Sequence, residues 1–336
     1  MKIFIDIYHI PQYNFFRNAI KILGPGQVEL GCVNRGKLAK IIKHECPEFK
    51  LYIYGDYKYN KGPFSMTTRI ILPRIVKLLK LFRKNKYDVI GTAHYQSNFV
   101  AKIMGIPNFS IFDDPRRGVL QILKLVADEC YLPPFSEKYG KIKKFNALKE
   151  WAYLSPKYYS PSNKVLKEYN LNSKEFIFIR EVSTDTSNYL SQEKNLILQL
   201  ASKIGKEIKV VLSLEDKILK DKYPEDWIIL NEPVSDIHSL LYHSKLVISS
   251  GDSMAREGGM LGVPSIYLGN RDMPANRIMM EKGVLYKFNL SESIKYIDKT
   301  MDNQQFDQVN FRSKLENEWD DVTQLIINLI NKLKKQ

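Results

Sequence analysis

From Ser249 the chain reads Ser-Ser-Gly-Asp-Ser-Met-Ala-Arg-Glu-Gly-Gly-Met-Leu-Gly-Val-Pro, ending at Pro264. The apolar run at 245–250 predicts a strand, and 253–262 predicts a helix that follows with only a small polar turn between them. Such a turn gathers exposed backbone N–H groups and the positive end of a helix dipole at one point, which suits a phosphate. A glycine there lets backbone approach a ligand. The candidate binding residues are Ser250, Gly251, Asp252, Ser253 and Arg256, with Glu257 one turn into the helix. A carboxylate at Glu257 can accept hydrogen bonds from both hydroxyls of a ribose. The same letters also spell an N-cap, Asp252 or Ser253, followed by a capping-box acid. Spacing alone leaves both readings open.

Other candidates fall just beyond predicted strands, where open parallel sheets bind ligands. His9 follows the first strand and could serve as a general base, since imidazole titrates near neutrality; it could equally cap the next helix. His94 follows the fourth strand. Asp113, Asp114, Arg116 and Arg117 follow the fifth and could bind a sugar and a phosphate, or neutralise one another on a solvated loop; Asp114 is the second candidate base. Arg180 and Ser183 end the strand at 176–180 and would face a diphosphate. Asn270 follows the strand at 264–268 and could contact a sugar. His238 and His243 read as structural.

The elements that must hold these residues alternate in α/β fashion. Strands are predicted at 2–8, 28–33, 50–54, 88–91 and 107–112. Between them lie a loop at 9–14 and helices at 15–23, 36–46, 65–85 and 96–104, with Pro73 marking a kink or a late start. A second series has strands at 176–180, 207–212, 227–230, 245–250 and 264–268, and helices at 195–204, 237–244 and 253–262. The Tyr-, Ser- and Pro-rich segment 145–174 reads as a connection, and 307–335 as one long amphipathic helix. This pattern predicts two Rossmann-like domains with parallel sheets. The expected boundaries are 1–150, 151–310 and a terminal helix 311–336 packing back on the first domain.

Gly251, Glu257, Gly262 and Pro264 resemble the sugar-nucleotide motif of GT-B-fold proteins. In those a strand ends in Ser/Asp-Gly, a Glu lies six residues after the Gly, and the helix closes with Gly-x-Pro. The GlcNAc transferase that makes lipid II and the non-hydrolysing UDP-N-acetylglucosamine 2-epimerase carry it. The resemblance implies that Glu257 holds the ribose, that Gly251, Asp252 and Ser253 hold the diphosphate, and that ligands meet in a cleft between the two domains. The wider chain resembles an uncharacterised family of GT-B-like proteins from archaea and bacteria. The matching pieces are Ile5-Asp6-Ile7 with Pro11 and Phe15-Phe16-Arg17, Phe112-Asp113-Asp114, the run from Phe145 to Leu154, and Arg180-Glu181-Val182-Ser183, in order over residues 1 to 285.

The expected function is therefore a metal-independent glycosyltransferase that needs no cofactor. It would use a nucleotide sugar as donor and a lipid-linked or glycan acceptor, in the synthesis of a cell-surface polysaccharide or glycolipid. A nucleotide-sugar 2-epimerase is the alternative, although residues 110–117 (SIFDDPRR) stand where the epimerases' His-x-Glu-Ala-Gly-Leu-Arg is expected. A non-catalytic GT-B scaffold is the third.

Composition sets the surroundings. The 336 residues are 44% hydrophobic and 26% charged, with no low-complexity stretch. Cys32, Cys46 and Cys130 sit at no disulfide or zinc spacing, which predicts a reducing compartment and no metal site. No run of apolar residues is long enough to span a bilayer, so a cytoplasmic chain is predicted. The net charge is +14. Basic clusters at 77–86 and 138–144 predict peripheral contact with an anionic membrane at its inner face. No motif combines basic and stacking residues for nucleic acid.

Overall fold

Runs of β-branched and apolar residues form strands covered on both faces. The structure, a computed structural model, describes residues 1–56, 70–113, 117–137, 139–184, 189, 192–231, 234, 236–303 and 306–335. The chain divides into two units, one made of residues 1–153 and 318–336, the other of residues 154–317.

The first unit contains β1 (Ile3–Ile7), β2 (Val28–Asn34), β3 (Leu51–Asp56), β4 (Val89–Thr92), β5 (Asn108–Ile111), β6 (Glu129–Leu132) and the short β7 (Lys143–Lys144). They form one sheet in the order β3-β2-β1-β4-β5-β6-β7. Every pairing is parallel. The second unit contains β8 (Phe176–Glu181), β9 (Lys209–Leu214), β10 (Ile228–Ile229), β11 (Leu246–Ser249), β12 (Ser265–Tyr267) and β13 (Leu285–Lys287). Its order is β10-β9-β8-β11-β12-β13, again parallel. Strand order reverses between β1 and β4 and between β8 and β11. Neighbouring crossovers leave in opposite directions there, so a crevice opens beyond the strands' carboxyl ends.

Right-handed crossovers fix the helix layers. The helices Leu72–Asn85, Tyr95–Ile103 and Arg117–Val126 lead from β3 to β4, β4 to β5 and β5 to β6, all in one direction across the first sheet. They therefore cover one face. Beneath them lie Phe4, Leu78, Phe82, Ile90 and Val100, then Phe112, Leu123 and Leu132. Helices Ile10–Leu23 and Leu38–Glu45 run the other way and cover the opposite face. The second unit's core joins Ile177, Ile179, Leu200, Val210, Leu212, Ile248 and Ile266.

Several elements differ from the sequence expectation. Residues 10–14 are helical, not loop, because the helix Ile10–Leu23 accepts Pro11 in its first turn, where a missing N–H costs nothing. Pro73 likewise lies in the first turn of the helix Leu72–Asn85; the expected helical residues 65–69 lie outside the described residues. The tail is two helices, Gln308–Glu318 and Val322–Leu333, rather than one. Asp321 starts the second by accepting from the Gln324 N–H at 2.8 Å. At the break Trp319 is buried edge-on against Trp151, with ring centroids 5.4 Å apart. The helix Arg117–Val126 and strands β6, β7 and β13 were not anticipated, and the segment 145–174 holds two short helices, Trp151–Leu154 and Lys164–Glu168. Among the described residues no helix is long and apolar enough to cross a membrane.

Candidate functional site

In the second unit, β8 and β11 end side by side at the reversal. The Ser249 hydroxyl folds the turn by donating to the Gly251 carbonyl at 2.7 Å and accepting from the Gly251 N–H at 3.0 Å. Ser250 ties the two strand ends together, its Oγ accepting from the Val182 N–H at 2.9 Å. Gly251 has an ordinary φ of −104° and stands at the N-cap of the helix Asp252–Met260 with no side chain to fill the cap. Its need for glycine comes from Val182. A Cβ there would lie 2.6 Å from Val182 Cγ1. Further along, a Cβ on Gly258 would meet Ser265 Oγ at 2.6 Å, so the helix rides directly on β12. Gly262 ends the segment at φ +75°, which favours glycine.

Asp252 and Arg256, both 2% exposed, face the interior rather than the mouth of the turn. The Asp252 carboxylate accepts from Arg256 at 3.0 Å, from Arg271 at 3.2 Å and from the Tyr189 hydroxyl at 2.6 Å. Arg256 also donates to Asn276 Oδ1 at 2.7 Å and to Ser253 Oγ at 3.4 Å. Burial pushes the Asp252 carboxyl up, but Arg256, the Tyr189 hydroxyl and Arg271 more than reverse it, so it sits below the usual range. The sequence offered both residues as ligand contacts; the structure makes them the frame that holds the turn.

Glu257 comes off the same helix in the direction of His238, whose Nε2 lies 3.6 Å from its carboxylate. His238 opens the helix Ile237–His243, which Asp236 caps by accepting from the Ser239 N–H at 3.1 Å. Its ring meets Tyr159 edge-on at 5.9 Å, and the Tyr159 hydroxyl donates to Asp236 at 3.0 Å. His238, read from sequence as structural, is thus a neighbour of the Glu257 carboxylate.

At the end of β8, Arg180 donates to Ser213 Oγ at 2.7 Å and lies 3.5 Å from Glu215, which also accepts from the Ser183 N–H at 3.0 Å. Glu215 carried no sequence signal. The next residue, Glu181, points the other way along the pleat. It is buried and accepts from the Tyr223 hydroxyl. Burial pushes its carboxyl up to about 7. Beside it is a cavity of about 240 Å³, which Ser183, Thr184, Lys194 and Asp216 also line. Asn270 is exposed and borders a separate depression of about 690 Å³ with Lys287, Asn289 and Ser291.

In the first unit the strand ends collect a different set. His9 is the N-cap residue of the helix Ile10–Leu23 but makes no side-chain cap bond. Its Nδ1 is buried without a hydrogen-bond partner among the described residues. Burial holds the ring at about 4; Asp113 opposes that shift, while Lys149 and Arg35 reinforce it. Asp113 itself pairs with Lys149 at 2.5 Å, and Lys149 outweighs burial to hold it at about 2. His94 does cap a helix, accepting from the Gln96 N–H at 3.5 Å. It is stacked on Tyr8 at 3.9 Å and lies against Tyr95 at 4.8 Å. Burial, followed by the charges of Arg74 and His9, lowers it to about 3. It is a neutral capping side chain. Asp114, with Arg116, lies outside the described residues. Among the described residues no three His, Cys, Asp or Glu side chains cluster as metal ligands.

The sheet orders and the β11 turn can now be set against known proteins. A family model described as "Protein of unknown function (DUF354)" matches residues 1–335. This chain is a DUF354 protein. A relative of the DUF354 chain, an uncharacterized protein of Methanocaldococcus jannaschii, is 23% identical over 319 residues, which is 89% of this chain and 91% of that one. Among solved structures, the DUF354 chain is similar to the UDP-GlcNAc 2-epimerase of Neisseria meningitidis bound to UDP-GlcNAc. The TM-score is 0.67 at 14% identity, over 99% of this chain and 100% of that one. It is also similar to the glycosyltransferase VinC in complex with DTDP, with TM-score 0.64 at 10% identity over the whole of both chains. The DUF354 fold is therefore GT-B-like, as the β11 motif led one to expect.

Proposed function

We propose that this protein is an enzyme that binds a nucleotide-activated sugar on its second unit and transfers the sugar to a glycan or lipid-linked acceptor. Such a reaction belongs to the synthesis of a cell-surface polysaccharide or glycolipid. One observation carries the donor reading: the β11 turn opens a helix whose cap is left bare by Gly251, with Glu257 one turn further on beside His238. The bare N–H groups suit the diphosphate and the carboxylate suits the two ribose hydroxyls. Asp252, Arg256, Arg271 and Asn276 hold the helix in place so that these groups do not have to reorganise when the ligand arrives. Ser183 and Arg180 edge the same reversal and are assigned to the diphosphate side, and Asn270 to the sugar.

The acceptor is assigned to the strand ends of the first unit. There His9 and Asp114 are the candidate bases; burial keeps the His9 imidazole unprotonated but, by lowering it to about 4, also makes it a weak base until an acceptor changes its surroundings. His94 is set aside as a base because its Nδ1 caps a helix.

The test is binding to a panel of nucleoside diphosphates and their sugars, read by melting temperature and calorimetry. Glu257→Ala should weaken the ligand that binds by about 10–100-fold, the loss expected of hydrogen bonds to a charged group. Unchanged affinity would remove Glu257 from the ribose. Release of sugar only when an acceptor is added supports transfer. Conversion of the nucleotide sugar alone would replace transfer by epimerisation, and binding without turnover would leave a scaffold.

A further inference from the structure

The three helices on one face of the first sheet, Leu72–Asn85, Tyr95–Ile103 and Arg117–Val126, contain no Asp or Glu. In a chain with 37 acidic residues, an acid-free layer of neighbouring helices is a local property of that surface. Lys77, Lys80, Arg83 and Lys84 are exposed on the first of them. Lys102 and Lys124 extend the positive charge to the other two, and Lys102 is paired with Asp128 at 3.0 Å.

Apolar side chains stand out of the same helices. Leu72 and Val76, one turn apart, are 55% and 45% exposed. Ile103 is 59% exposed and follows the exposed Phe99 by one turn; Leu125 is 75% exposed and follows Ile122. The inward sides of the helices already fill the core through Leu78, Phe82, Val100 and Leu123. The outward apolar groups are therefore additional to what the fold uses.

We infer that this layer is a docking surface for an anionic lipid bilayer, with the lysines and arginines at the headgroups and the apolar side chains in the acyl boundary. A nucleic acid would match the charge but leave the apolar groups without partners. Single-strand binders present aromatic stacking platforms, and five of the six exposed apolar residues here are aliphatic. The other basic cluster contributes less, because Lys143 is paired with Glu129 at 2.9 Å. This inference stands on the surface itself and does not depend on the donor site.

The experiment is vesicle co-sedimentation of the full chain. It compares pure phosphatidylcholine with phosphatidylcholine in which roughly a third of the lipid is phosphatidylglycerol, the two differing in the surface charge that attracts basic residues. Binding to the anionic vesicles alone is expected. Each lysine or arginine at such a surface changes partitioning about fivefold. The variant Lys77→Gln/Lys80→Gln/Arg83→Gln/Lys84→Gln should therefore lose about a hundredfold or more. The variant Leu72→Ser/Ile103→Ser/Leu125→Ser should still bind at low salt but release fully at high salt, where the wild type stays partly bound. All three substituted side chains are at least half exposed, so the melting temperature should hold and certify the fold. No binding to anionic vesicles, or wild-type binding by both variants, overturns the inference. So does a duplex or single-stranded nucleic acid that competes the protein off the vesicles through the same four charges.

Discussion

The interior of the β11 turn makes a sharp prediction. Asp252→Ala removes the carboxylate that receives Arg256 at 3.0 Å, Arg271 at 3.2 Å and Tyr189 at 2.6 Å. Arg271 can swing to water, since its side chain is 29% exposed. Arg256 cannot, being 2% exposed; it keeps its bonds to the neutral oxygens of Asn276 and Ser253 but loses this carboxylate. Removing one partner of a buried pair costs about 3–5 kcal/mol, because the other charge stays desolvated. At about 2–4 °C per kcal/mol for a unit of this size, the second unit should melt roughly 6–20 °C lower. A double variant, Asp252→Leu with Arg256→Met, should recover most of that loss, because it removes both charges and keeps the volume. Acid should mimic the single variant. The Asp252 carboxyl is depressed, so its contribution is present above its unfolded value and is lost as pH falls through the lower folded one. The measurement is a melt by circular dichroism of the three proteins. An Asp252→Ala protein that melts with the wild type but no longer binds the nucleotide would refute the structural role and put the carboxylate in the ligand site.

Two further outcomes can be checked in the same way. Gly251→Ala would set a methyl 2.6 Å from Val182 Cγ1 and should destabilise by about 1–3 kcal/mol, the range for overpacking; Val182→Ala in the same chain should relieve it, and an additive pair of effects would show that the clash is elsewhere. Asp6 is buried and accepts from Tyr54 and Ser97, and burial raises its carboxyl from 3.8 to about 6. A raised carboxyl contributes stability below its unfolded value that disappears as pH rises through the folded one, here about 3 kcal/mol between pH ~4 and ~7. Asp6→Asn does not titrate, so the unfolding free energy from urea melts at the two pH values should shift in its favour by about that amount, and a gap that ignores pH would refute the assignment.

The alternation of apolar runs with amphipathic segments made both parallel sheets legible, because the central strands β1, β4 and β11 are local and buried along their whole length. Strands β6, β7 and β13 were not legible. Residues 129–132 carry a Glu and a Tyr among their apolar neighbours, and 285–287 are only three residues long. Ile10 and Pro11 hid a helix start because proline reads as a breaker unless its turn is known to be the first. The tail hid a helix break because amphipathic periodicity resumes after Asp321. At the site, Gly251 and Glu257 were legible as a spacing within one helix turn or two. Their companions were not. Tyr189 reaches Asp252 across 63 residues, and Arg256 reaches Asn276 across 20. His238 comes to Glu257 from the neighbouring helix. Only tertiary packing reveals that Asp252 and Arg256 face inward, since the sequence places them at the same helix end as Gly251 and Ser253.

The helix Val322–Leu333 packs on the helix Ile10–Leu23, and Thr323 donates to the Ala152 carbonyl at 2.9 Å. The first unit is thus closed by residues made after the second unit is complete. During synthesis the second unit, contiguous in sequence from 154 to 317, can reach its native form while the first still waits for its last helix. The usual order of events on the ribosome, with the leading domain finished first, is inverted here. A nascent chain stalled near residue 317 would expose the side of the helix Ile10–Leu23 on which the helix Val322–Leu333 normally packs. That stage, rather than any earlier one, is where a chaperone should hold it.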